Sequence, residues 1–151
     1  VNPMKTITTL IFAVAVFLLS NVVRAEQFVQ DDQYVVHYSA FNSSMLTPEV
    51  AKAYDLMRSR QRAIMNVAVQ RKMPDGSTKP VMAQLEGYTG ALGGSERPLA
   101  FKMVTEGSAI YYLAEFLIGN GEKLNFDIKV KPTPDYAPLK VEFSQEFFAE
   151  E

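Results

Sequence analysis

Arginine stands at every second position in Arg58-Ser59-Arg60-Gln61-Arg62, a clustered cationic run in a chain with 17 acidic and 15 basic residues. Guanidinium groups grip carboxylates and phosphates bidentately, so three on one side would form an anion or partner site. They share a side if a strand starts at Arg58, because period two then sends all three outward. If a preceding helix persists to Arg62, only Arg58 and Arg62 share a face, and Arg58 pairs locally with Asp55. The plainer alternative is a solvated junction that ties helix to strand through ion pairs.

His37 is the single histidine, which excludes a multi-histidine metal centre, and the absence of cysteine removes thiolate ligands. As a lone general base it would need a serine nucleophile, yet no serine sits in a G-x-S-x-G elbow. The ordinary role is a strand position with one ring nitrogen hydrogen-bonded. Asn42-Ser43-Ser44 lies just ahead of a helix start at Thr47-Pro48-Glu49. Free N–H groups there would receive a small anion or a peptide carboxylate, unless Asn42, Ser43 and Thr47 simply satisfy a turn and a cap. Gly90, Gly93 and Gly94 lack the Gly-Lys-Ser/Thr of a phosphate loop. Asp31-Asp32 is too short for a calcium loop. Glu115 and Asp127 sit on separate strands with no sign of convergence. No catalytic residue, metal or cofactor is expected.

Met4-Lys5, the apolar run Leu10 to Leu19, and Val23-Arg24-Ala25 before Glu26 have the three parts of a secretory signal peptide cut after Ala25. Val1-Asn2-Pro3 reads as an upstream extension. An uncleaved anchor over Ile7 to Val23 is the competing reading, and the polar Ser20 and Asn21 argue for cleavage without a stable membrane anchor. Residues 26–151 then form one periplasmic domain. Losing Lys5 and Arg24 leaves 13 basic against 17 acidic residues, a net charge of −4, which argues against nucleic acid as a partner.

The elements that position these residues follow from periodicity. Tyr34, Val36 and Tyr38 alternate with Val35 and His37 as a first strand. Thr47 caps a short helix with Pro48 at its first position, and Val50, Tyr54 and Met57 mark its buried face. Ala63, Met65, Val67 and Val69 point inward along a strand from Arg62, and Met73-Pro74-Asp75-Gly76 turns into a hairpin strand from Pro80 to Glu86. The stretch from Gly87 to Gly94 reads as a flexible loop. The strand Ala109 to Ile118 is apolar on both faces and should be central. Gly119-Asn120-Gly121 predicts a tight hairpin into a half-exposed strand from Lys123 to Lys131. Pro132, Pro134 and Pro138 predict an extended crossing between sheets. About seven strands and one short helix after the first give an all-β, immunoglobulin-like antiparallel sandwich, with an eight-stranded barrel as the alternative.

The run His37-Tyr38-x-Ala40-Phe41-Asn42-Ser43-Ser44-x-Leu46-Thr47-Pro48-Glu49-Val50-Ala51, with Tyr54, Arg58-Ser59-x-x-Arg62-Ala63-x-x-Asn66-Val67, Ala109-Ile110-Tyr111-Tyr112 and Leu124-Asn125-Phe126-Asp127, resembles domain of unknown function 4426, a family of small exported gram-negative proteins. The resemblance implies a periplasmic β-rich domain and transfers no activity. The expected function is a non-enzymatic binding or accessory module for an envelope protein or peptide, through end loops, a sheet edge and Arg58, Arg60 and Arg62. A small-molecule carrier, with ligand between the sheets or near Tyr88 to Gly94, is the second reading, and a hydrolase the third.

Overall fold

The computed structural model describes residues 27–149. The signal segment, its cut after Ala25 and the final Glu150-Glu151 lie outside the described residues. In chain order the strands are β1 (Gln27–Gln30), β2 (Tyr34–Asn42), β3 (Arg62–Lys72), β4 (Thr78–Pro80), β5 (Gln84–Ala91), β6 (Arg97–Leu99), β7 (Lys102–Glu106), β8 (Ala109–Leu117), β9 (Glu122–Lys131) and β10 (Leu139–Phe147). A 3-10 turn (Ser43–Met45) and the helix α1 (Pro48–Ala53) lie between β2 and β3.

One sheet runs β1-β2-β3-β8-β7 with β4 added to β3; the other runs β10-β9-β5-β6. Every pairing is antiparallel. The strands number ten rather than seven because β1, β4 and β6 are only three or four residues long. Without those three, β2-β3-β8-β7 packs over β5-β9-β10. This is the immunoglobulin arrangement of A-B-E-D over C-F-G, and β6 takes the C′ place beside C.

Alternation builds the core as expected. Ala63, Met65, Val67 and Val69 of β3 face Leu124, Phe126, Ile128 and Val130 of β9, all essentially shielded from water. Phe126 stacks on Phe143 at 4.7 Å and meets Phe116 and Phe147 edge-on at 5.3 and 6.0 Å. Burying each such large side chain contributes about 1.5–3 kcal/mol, so these rings hold the two sheets together. β8 has neighbours on both sides, and consecutive Tyr112, Leu113 and Ala114 are buried.

Several connections differ from the sequence reading. Gly119-Asn120-Gly121 turns sharply, with Gly121 at φ 68°, but β8 and β9 belong to different sheets, so it is a crossing and not a hairpin. The proline-rich stretch expected to cross instead joins β9 and β10 within one sheet. After Gly76 only Thr78–Pro80 pairs with β3, and the chain then changes sheet. Gly87 to Ala91 is regular strand, not loop. A Cβ on Gly87 would lie 3.0 Å from Ile128 Cγ1 and 3.1 Å from Phe101 Cε2, so glycine there serves close packing.

A second, smaller cluster lies on the outer face of the first sheet, where Ala51 and Leu56 cover Ile64 and Leu113. Thr47 Oγ1 caps α1 by accepting from Val50 N at 3.3 Å. The helix stops at Ala53, so the expected i, i+4, i+7 face is not continued; Val50 and Met57 are exposed, and Leu56 reaches the sheet from the loop that follows.

Candidate functional site

Strand directions gather most of the predicted residues at one end of the sandwich. β2 ends there at Asn42, β3 begins at Arg62, β8 ends at Leu117 and β10 at Phe147. Arg62 and Leu117 are register partners, and Ile118 N donates to Gln61 O at 2.9 Å. From the other sheet, Arg97 Nη2 reaches Leu117 O at 3.4 Å. Three large apolar side chains stand in solvent at this end: Leu92 at 88% exposed, Phe148 at 59% and Leu117 at 52%.

The arginines form neither arrangement foreseen. Arg58 and Arg60 lie on the loop between α1 and β3, and only Arg62 is in the strand, half-buried at its first position. The alternating outward row is therefore absent, and so is a helix reaching Arg62. The cause is Ser43, fully buried, whose Oγ donates to Ser59 O and accepts from Ser59 N, both at 2.9 Å. These bonds take up the Ser59 backbone groups that a strand ladder or helix would have used. Asn42 Nδ2 donates to Phe148 O at 2.8 Å, fastening the end of β2 to the residue after β10. Asn42 and Ser43 are thus committed to internal bonds, while Arg58 and Arg60 are exposed beside them.

His37 is elsewhere. It stands on the outer face of β2, paired in register with Phe28 and Ala68, with its ring 6.1 Å from that of Phe28. Five residues of strand, roughly 17 Å, separate it from Asn42. Glu115 and Asp127 lie on opposite sheets; Glu115 Oε1 accepts from Met57 N at 2.7 Å, and Asp127 faces solvent between Tyr88 and Glu142. Asp31 has its oxygens occupied: Oδ1 accepts from Gln33 N and Tyr34 N, and Oδ2 from Tyr136 Oη. Burial pushes its carboxyl upward, but the bonds from Tyr136 and the two amides outweigh this and hold it below its ordinary value. Tyr54 Oη donates to Glu106 Oε2 at 2.7 Å, which raises its phenol.

Leu92 and Arg97 were not singled out from sequence. A leucine beside Gly93-Gly94 at the tip between β5 and β6 carries a signal of its own, because a tight turn normally holds polar residues. Arg97 carries none.

A family model for domain of unknown function 4426 (DUF4426) matches residues 28–150. The chain belongs to the DUF4426 family. The crystal structure of a DUF4426 family protein from Pseudomonas aeruginosa PAO1 is 38% identical, with a TM-score of 0.72 over 85% of this chain and 99% of that one. FetP of uropathogenic Escherichia coli strain F11, recombinantly expressed in the periplasm of E. coli BL21(DE3), is 9% identical with a TM-score of 0.59 over 84% of this chain and 96% of that one. A copper-bound FetP variant is 8% identical at 0.54, over 84% and 92%. At these identities FetP shares the fold alone. No curated protein matches the sequence. Among the described residues of this DUF4426 protein, no three or more His, Cys, Asp or Glu side chains converge on a metal-sized site. Nor is any described helix long and apolar enough to cross a membrane.

Proposed function

We propose that this DUF4426 protein is a periplasmic binding or accessory module that engages an envelope protein or peptide through the end of the sandwich bearing Arg58, Arg60, Arg62 and Arg97. The observation that carries the reading is the placement of exposed Leu92, Leu117 and Phe148 among those guanidiniums. Protein interfaces are enriched in arginine and aromatic side chains, and large apolar side chains exposed together mark interaction sites. Periplasmic residence rests on the signal-like segment and agrees with the periplasmic expression of FetP, which shares the fold. The reading takes the role as non-enzymatic; it is supported by the separation of His37, Glu115 and Asp127 and by the internal bonds of Ser43.

The test is crosslinking in intact cells from a photoreactive residue at position 92, followed by mass spectrometry. One envelope protein recovered from position 92, and not from exposed Lys140 on the second sheet, supports the reading. Equal, unspecific recovery from both positions overturns it.

A further inference from the structure

A separate feature lies on the outer face of the first sheet, away from the arginine end. Register aligns Phe28, His37 and Ala68 in one row across β1, β2 and β3, and Tyr111 of β8 continues it, one residue before the Val67–Tyr112 pair. At the spacing of neighbouring strands, Phe28 and Tyr111 stand roughly 14 Å apart. The small Ala68 between larger side chains opens a groove above the row, part of an open cavity of about 1210 Å³ that continues round the β2 edge to Ala40 and Gln145.

The groove's chemistry is selective. Among the described residues no Asp, Glu, Lys or Arg lines it, although the outer face of the second sheet places Glu86, Lys129 and Lys140 in one row and Asp127 beside Glu142. Its polar groups include the amides of Asn66 and Gln70. Thr78 Oγ1 donates to Gln70 Oε1 at 2.7 Å, leaving the Gln70 NH2 as a donor. Asn66 Oδ1 is shielded from solvent yet accepts no hydrogen bond among the described residues. A buried acceptor without a partner is a place where a ligand donor is favoured.

We infer that this groove binds a neutral linear oligosaccharide. A sugar ring presents an apolar C–H face that packs on an aromatic ring, and its hydroxyls donate and accept as side-chain amides require. Rings at both ends of the row, amides between them and no fixed charge match such a chain of rings. An anionic ligand would find no lysine or arginine among the described lining residues. An extended peptide would find the strands under the row already paired, and at the stretch of β2 that β1 leaves uncovered, from Ser39 to Asn42, Ala40 O already accepts from Gln145 Nε2 at 3.0 Å, which blocks strand addition there. A lipid chain would have to bury Asn66 and Gln70 unpaired.

The experiment is heteronuclear NMR titration of the purified protein with uncharged hexasaccharides of glucose and of N-acetylglucosamine, alongside a polyuronate hexamer and an uncharged decapeptide. The expected result is saturable shifts at Phe28, Ala68 and Tyr111 with one neutral hexasaccharide. Phe28→Ala, on an exposed edge position, and Ala68→Glu should each weaken binding at least tenfold; should Ala68→Glu lower the thermal midpoint, Gln70→Ala replaces it. Absence of saturable shifts at millimolar neutral saccharide overturns the inference. So does binding untouched by Phe28→Ala, preference for the polyuronate or the peptide, or sedimentation showing a dimer that buries this face.

Discussion

Tyr136 Oη donates to Asp31 Oδ2 at 2.6 Å, joining the proline-rich loop between β9 and β10 to the turn between β1 and β2. The bond holds the Tyr136 phenol up to about 12 and the Asp31 carboxyl below its ordinary 3.8. A depressed carboxyl contributes stability above its unfolded value and loses it as pH falls through the folded one; a raised phenol contributes below pH 10 and loses it as pH rises toward about 12. Tyr136→Phe keeps the edge-on packing against Tyr34 at 4.9 Å and removes only the bond. The variant should melt a few degrees lower at neutral pH. Melting curves against pH should draw toward wild type as Asp31 protonates on the acid side, and a gap that stays constant as the pH falls contradicts this account.

Ser43→Ala deletes both bonds to Ser59 in a fully buried position. Ser59 N then loses its partner and Ser59 O keeps only the longer bond from Arg62 N at 3.4 Å; a shielded amide left unpaired costs about 1–3 kcal/mol, measurable as a lower urea midpoint at unchanged slope. A cost below about 0.5 kcal/mol, the range of ordinary surface changes, would mean that water replaces the hydroxyl.

Gly87→Ala places a methyl group against Ile128 and Phe101 between the sheets. Overpacking of this kind costs about 1–3 kcal/mol. Gly93→Ala meets no atom within 4 Å but is strained by its φ of 76°. Both should therefore lower the urea midpoint, and a second substitution distinguishes them: in an Ile128→Ala background, which lacks the contacting Cγ1, Gly87→Ala should cost less than in wild type, whereas Gly93→Ala should cost the same.

Arg60→Glu combined with Leu92→Asp alters two exposed side chains at the proposed contact end. Folding should change by less than about 1 kcal/mol in sum. Recovery of the crosslinked envelope partner should fall at least tenfold, and undiminished recovery removes these residues from the contact.

The legible parts of the fold were those governed by near neighbours. Ala63, Met65, Val67 and Val69, or Leu124, Phe126, Ile128 and Val130, alternate because each contact repeats every second residue, and one chain displays that period. Sheet membership is a long-range property. Gly119-Asn120-Gly121 makes the same sharp turn whether the next strand pairs with the last or crosses the sandwich, and only the partners of β9, namely β5 and β10, decide. The stretch from Gly87 read as loop for the converse reason, because Ile128 and Phe101, which require its small side chain, lie far off in sequence. At the candidate site, Asn42 and Ser43 were visible as turn residues from their types, but their partners, Phe148 O and the Ser59 backbone, are remote in sequence and were not. The path of Arg58 to Arg62 was not, because a bond across sixteen residues from Ser43 decides it.

The cover formed by α1 and the loop of residues 54–61 rests on the outer sheet face through Ala51, Tyr54 and Leu56, and it is fastened by polar bonds: Tyr54 Oη to Glu106, Lys102 Nζ to Asp55 O, Met57 N to Glu115 Oε1, Ser59 to Ser43 and Ile118 N to Gln61 O. None of these contacts belongs to the aromatic core between the sheets. The segment is therefore built as a cooperative unit of its own, which opens at a lower free energy than global unfolding. Its amides should exchange with deuterium well ahead of those in β3 and β9, and each opening bares Ile64 and Leu113 while the sandwich stays intact.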